Sequence, residues 1–147
     1  MAALQAATRV LAGVALHSLD ALGGSVTPAQ FRMLAVLAEA GPARSARVAR
    51  VLGLEPSTVT RLAGRLVAAG HVARGSDPGH RSVVTLTLTA TGQRIVREVE
   101  AARQGELSQI LGRLSPADRG RLAAAARQLV AVAGEGYGTA PGNLVPL

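Results

Sequence analysis

The 147-residue chain contains no cysteine. That excludes disulfides, thiolate metal sites and thiol redox chemistry together, and it suits a reducing cytoplasm, where the protein is expected to reside. Lysine is also missing, so all 16 basic residues are arginine. Aromatic side chains are reduced to Phe31 and Tyr137. Binders of single-stranded DNA or RNA stack bases on aromatic platforms, which two rings cannot build. No apolar run reaches the ~20 residues of a membrane span. The apolar stretch 1–24 lacks a basic leader and is broken by Arg9, His17 and Asp20, so it reads as a helix rather than a signal peptide.

What is present is positive charge, and it is unevenly spread. The net charge is +7. Between Arg44 and Arg81 seven arginines stand against Glu55 and Asp77, a net +5 that leaves +2 for the rest of the chain. A basic segment without stacking residues points to duplex DNA, whose phosphates and groove edges are the targets.

Caps and periodicity divide the chain. Residues 2–22 form a helix that is apolar around much of its circumference and ends at Gly23-Gly24. Thr27-Pro28 starts a second helix, which stops at Gly41-Pro42. A third covers residues 45–52 and is closed by Gly53, and Glu55-Pro56 opens a fourth that continues to Gly70. A short helix, a glycine turn and a longer helix have helix-turn-helix spacing. Residues 71–74 and 83–88 then read as two strands around turn chemistry at 75–82, a hairpin wing. A long helix follows from Thr89 to about Leu114, and Ser115-Pro116 starts a last one. Residues 134–147 hold four Gly and two Pro, and 135–147 read as a tail. The expected fold is mainly α with a small β-hairpin wing: a winged helix-turn-helix at 25–89, with helical dimerisation segments at 1–24 and 90–134.

The fourth helix carries the chemistry. At about 100° per residue, Val59, Leu62, Ala63, Leu66 and Val67 fill one arc. Ser57, Thr58, Thr60, Arg61, Gly64 and Arg65 fill the other. An ordinary solvated face mixes acids with bases, whereas this one holds no acid. Arginine can donate two bonds to guanine O6 and N7, and hydroxyls serve bases or phosphates.

Residues 46–67, ARVARVLGLEPSTVTRLAGRLV, followed by AAGHV, resemble the helix-turn-helix of the MarR (multiple antibiotic resistance regulator) family. Residues 77–92, DPGHRSVVTLTLTATG, are similar to that family's wing, D-P-x-x-R followed by Leu-Thr-x-x-Gly. The resemblance covers roughly residues 2–134. The wing departs from the family pattern at Gly79, His80 and Ser82, leaving Arg81 as its one basic residue. The resemblance implies a transcriptional regulator, expected to be a repressor that binds palindromic double-stranded DNA as a homodimer. It implies DNA contacts from Arg44, Ser45, Pro56, Ser57, Thr58, Thr60, Arg61, Arg65, His80 and Arg81, with Asp77 and Gly79 shaping the wing. It also implies a small lipophilic or aromatic ligand near the dimer helices, for which His17 is a candidate contact.

Other readings fare worse. His17, His71 and His80 are the only histidines, none at i, i+3 or i+4 from another, so the site of a metal-responsive regulator would have to borrow carboxylates or span the dimer, and no metal or cofactor is expected. Asp77, His80 and Ser82 share one hairpin tip with no enclosing pocket in view, so no enzyme is expected. A winged helix used only for protein interaction would not need an acid-free face.

Overall fold

The computed structural model describes residues 1–77 and 79–133, with the backbone alone at 77 and 80–82. Among the described residues, six helices and three strands follow in the order α1 (Ala2–Asp20), α2 (Pro28–Ala40), β1 (Ala43–Arg44), α3 (Ser45–Leu52), α4 (Pro56–Ala68), β2 (Val72–Asp77), β3 (His80–Leu88), α5 (Ala90–Gly112) and α6 (Pro116–Ala133).

Local chemistry sets most of the helix ends. Thr27 and Gln30 form a reciprocal capping box: the Gln30 N–H donates to Thr27 Oγ1 (3.3 Å), and the Thr27 N–H to Gln30 Oε1 (2.8 Å). Pro28 fills the first turn of α2, where its missing N–H costs nothing. Gly53 closes α3 in the left-handed region (φ 63°), and the next N–H, of Leu54, returns to the Ala49 carbonyl at 3.0 Å. That turn aims the chain into α4. Arg32 braces the pair from α2, its Nη2 donating to the Leu52 carbonyl at 3.4 Å.

The sheet is three-stranded and antiparallel in the order β1-β3-β2. The sequence reading had a two-stranded wing; β1 adds a third strand of two residues, with Ala43 opposite Leu86 and Arg44 opposite Thr85. The hairpin is also longer than the turn chemistry at 75–82 suggested. β2 continues through Gly75, Ser76 and Asp77, with Gly75 opposite Thr85 and Ser76 opposite Val84. The β-branched partners hold the ladder, and Gly75 lets it close: a Cβ there would stand 3.1 Å from Thr85 Oγ1.

One core serves the whole arrangement. Phe31, Met33, Leu34 and Leu37 of α2, Val48 of α3, Val59 and Leu66 of α4, Val72, Leu86 and Val99 are fully buried together. Leu19 of α1 and Ile95 and Val96 of α5 join the same cluster, so both flanking helices are anchored to the winged unit. α6 is different, for none of its residues is buried.

A tight junction ties α5 to the end of α4. Thr89 Oγ1 accepts from the Gly92 N–H (3.1 Å), capping α5, and donates to the Gly70 carbonyl (2.7 Å). The Thr89 N–H donates to the His71 carbonyl at 3.1 Å. Gly92 packs so closely on that carbonyl that a Cβ would overlap it. This is the physical content of the Leu-Thr-x-x-Gly pattern: a cap that is also a clamp, and a glycine that permits contact with the preceding turn.

Candidate nucleic-acid interface

α4 is amphipathic along its whole length. Val59, Leu62, Ala63 and Leu66 are buried on the core, with Val67 packed at its edge. Ser57, Thr60, Arg61 and Arg65 are exposed, and Thr58 and Gly64 are half-buried. The exposed face is ordered from within. Arg61 Nη2 donates to Thr58 Oγ1 one turn back (3.3 Å), and Thr60 Oγ1 donates to the Pro56 carbonyl (2.9 Å). Pro56 starts the helix at the solvent edge. Arg44 is exposed and Ser45 half-buried where β1 passes into α3, and Arg47 and Arg50 are exposed on α3 itself.

A residue outside the candidate set joins this face. Arg74 of β2 reaches back over α4, its Nη2 donating to the Thr60 carbonyl at 3.4 Å. The same nitrogen stands 3.6 Å from where a Cβ on Gly64 would be. The gap at Gly64 is therefore occupied by a guanidinium from another element. Among the described residues, Arg61, Arg65 and Arg74 have no carboxylate within ion-pair distance. The only signal for Arg74 in the sequence was its membership of the charged segment.

The wing-tip side chains of Asp77, His80 and Arg81 lie outside the described residues; Gly79, between them, is exposed. The tail at 135–147 lies outside them as well. His17 is exposed on α1, its Nδ1 3.2 Å from Glu106 Oε1 of α5. Among the described residues, no three His, Asp or Glu side chains gather as a metal site would require. None of the described helices is long and apolar enough to cross a membrane.

A cavity of about 440 Å³ opens between α2 and α5, within the usual size range of small-molecule sites. Phe31, Ala35, Leu107 and Leu111 give it apolar walls, and Glu39, Glu100 and Arg103 give it charge. His17 is not among its lining residues. Arg103 is half-buried, with its guanidinium carbon 5.8 Å from the centre of the Phe31 ring and Nη2 3.4 Å from the buried Ser18 hydroxyl. Burial pulls the Arg103 guanidinium below its ordinary value, against the opposing pull of Glu100. Glu39 is pushed above the ordinary carboxylate value, first by desolvation and then by the neighbouring Glu100 charge.

A three-helix core with the second and third helices joined by a glycine turn, then a β-hairpin, and a basic exposed face on the third of these helices, define a winged helix-turn-helix DNA-binding protein. Comparison with known proteins agrees. The MarR family model matches residues 25–81. The HTH-type transcriptional repressor MdtR of Bacillus subtilis (strain 168) is 33% identical over 112 residues, 76% of this chain and 71% of MdtR. The crystal structure of RV1404 from Mycobacterium tuberculosis is similar with a TM-score of 0.83 and 33% identity over 90% of each chain. BpsR of Bordetella bronchiseptica, solved to explain regulation of its DNA binding by 6-hydroxynicotinic acid, shares 25% identity and a TM-score of 0.62 over 86% of this chain and 89% of its own. The chain belongs to the MarR family. It is a DNA-binding transcriptional regulator and not an enzyme.

Proposed function

We propose that the protein is a ligand-responsive repressor that acts in the cytoplasm as a homodimer on a palindromic operator. The observation that carries this reading is the exposed face of α4, which joins hydroxyls to Arg61 and Arg65 without an acid. Arg61, in the middle of that face, reads a base edge from the major groove. Ser57, Thr58, Thr60 and Arg65 serve neighbouring bases and phosphates, and Arg44, Ser45 and Pro56 contact the backbone where α3 and α4 begin. His80 and Arg81 extend the wing, shaped by Asp77 and Gly79, toward the minor groove.

Dimerisation through 1–24 and 90–134 is supported by apolar surface that is exposed among the described residues. Leu4, Val10 and Leu11 of α1 are about half exposed. Leu129 and Val132 of α6 are 60% and 87% exposed. Two-fold pairing of such helices sets two copies of α4 about one helical turn of DNA apart, roughly 10 base pairs. MdtR is named a repressor, which supports that direction of control.

The cavity between α2 and α5 suits a lipophilic or aromatic ligand, and the 6-hydroxynicotinic acid of BpsR is of that kind. A ligand that prefers one spacing of the two α4 helices shifts the dimer toward it and changes operator affinity. Selection of bound genomic fragments, followed by binding of the selected duplex at several salt concentrations and sedimentation of the free protein, tests the proposal. A dimer that enriches a palindrome supports it. A monomer that enriches no sequence rejects it.

A further inference from the structure

The helix supplies its own cations to only part of its exposed face. By the helical period of about 100° per residue, Ser57 and Arg61 lie at the centre, Thr58 and Arg65 on one flank, and Thr60 and Gly64 on the other. That last flank has no charged side chain of its own, yet a helix in the major groove passes between two phosphate walls. Arg74 stands there. Its Nη2 is held by the Thr60 carbonyl at 3.4 Å and passes over Gly64, where there is no side chain to displace it.

We propose that Arg74 is a DNA-contacting residue, binding a backbone phosphate on the flank of α4 opposite Arg65. The proposal rests on the DNA-binding reading above and adds a residue to it. Three observations favour a phosphate contact over a mere brace between β2 and α4. One guanidinium N–H is used, at a long distance, while four others have no protein partner among the described residues. The Thr60 carbonyl lies within α4, where it is positioned to accept from the helix's own backbone, so the contact adds orientation more than support. And Arg74 is exposed, with no carboxylate in ion-pair reach among the described residues. A guanidinium already oriented loses less freedom when it binds, so it makes the better clamp. Two arginines, one from the helix and one from the strand, then grip the groove from both sides and hold Arg61 in register between them.

The test uses the full chain and a random-sequence duplex of about 30 base pairs, long enough for two half-sites. Binding is measured by fluorescence anisotropy over a range of salt. Arg74→Ala is expected to reduce the salt slope by about one unit per protomer, and affinity about eightfold per lost contact near 0.1 M salt. Arg74→Lys should keep the slope, because the charge remains. Thermal midpoints should be the same for all three proteins. An unchanged slope in Arg74→Ala overturns the proposal. So does an equal fall in midpoint and affinity for both variants, which would identify a structural brace. Wild-type protein without salt-dependent duplex binding would instead reject the DNA-binding reading itself.

Discussion

α4 and α6 are both helices with an apolar stripe, yet the chain treats them in opposite ways. α4 buries Val59, Leu62, Ala63 and Leu66 and turns a polar, acid-free face outward. α6 buries nothing, and its Leu122, Leu129, Val130 and Val132 are all in solvent. The difference shows what each helix still lacks. α4 has satisfied the hydrophobic effect within its own chain and presents charge, so its missing partner is a polyanion. α6 has not among the described residues, so its missing partner is another apolar surface, which a second copy would supply in the proposed dimer.

Substitutions on the two stripes should therefore separate stability from assembly. Leu66→Ala, at a fully buried position, should cost about 2–5 kcal/mol, measured by denaturant unfolding. A loss under 1 kcal/mol would mean that α4 is not seated as described. On α6, Leu122→Asp with Leu129→Asp should leave the helical circular dichroism nearly intact while sedimentation shifts from dimer to monomer. A dimer that survives both changes would break the comparison, because α6 would then have no assembly role. On the outward face of α4, Arg61→Ala should weaken binding to a selected operator by about 1–3 kcal/mol and to random duplex far less. Equal losses would reduce Arg61 to a phosphate contact.

Smaller changes sharpen the picture. Gly64→Ala introduces a Cβ at ordinary contact distance from Arg74 and improves helix propensity, so stability should rise by about 0.5–1 kcal/mol with affinity retained. A fall in affinity would show that the guanidinium needs the full gap. The smallest effect is expected at Glu39, which folding holds above its ordinary value of 4.5. A raised carboxyl favours the fold below the unfolded value, and that contribution is lost as pH rises through the folded value. Glu39→Gln should thus raise the thermal midpoint slightly at pH 7, an advantage that vanishes on acidification below about 4.

What could be read directly from the sequence was whatever chemistry is local. The starts of α2 and α4 and the turn at Gly53 are encoded by Thr27, Pro28, Pro56 and the glycine itself, each within a few residues of its effect. The polar face of α4 follows from periodicity alone. β1 was missed because two residues carry no pattern and its existence depends on Leu86, more than forty positions away. β2 was cut short because Gly75-Ser76 has turn composition, and only the opposite strand reveals it as ladder. Arg74 and the α2–α5 cavity were hidden for the same reason. Both join residues that periodicity cannot relate: Arg74 with Thr60, and Phe31 with Arg103.

The junction at Thr89 has a mechanical consequence: α5 and α4 are welded, not hinged. A hinge needs backbone that can change its dihedral angles without losing contacts. Here the linking turn spends its carbonyls on Thr89, and Gly92 lies flush against the His71 carbonyl. From Ala90 to Arg103 the helix forms an arm of roughly 20 Å, at 1.5 Å per residue. A tilt of about 5° applied near the cavity therefore moves the two ends of that arm by about 2 Å relative to one another. Such a motion would reach the end of α4 through the Gly70–His71 turn, whose carbonyls are tied to Thr89. In the proposed ligand response, the stiffness of a short turn, rather than the softness of a loop, is what would give α5 its leverage over α4.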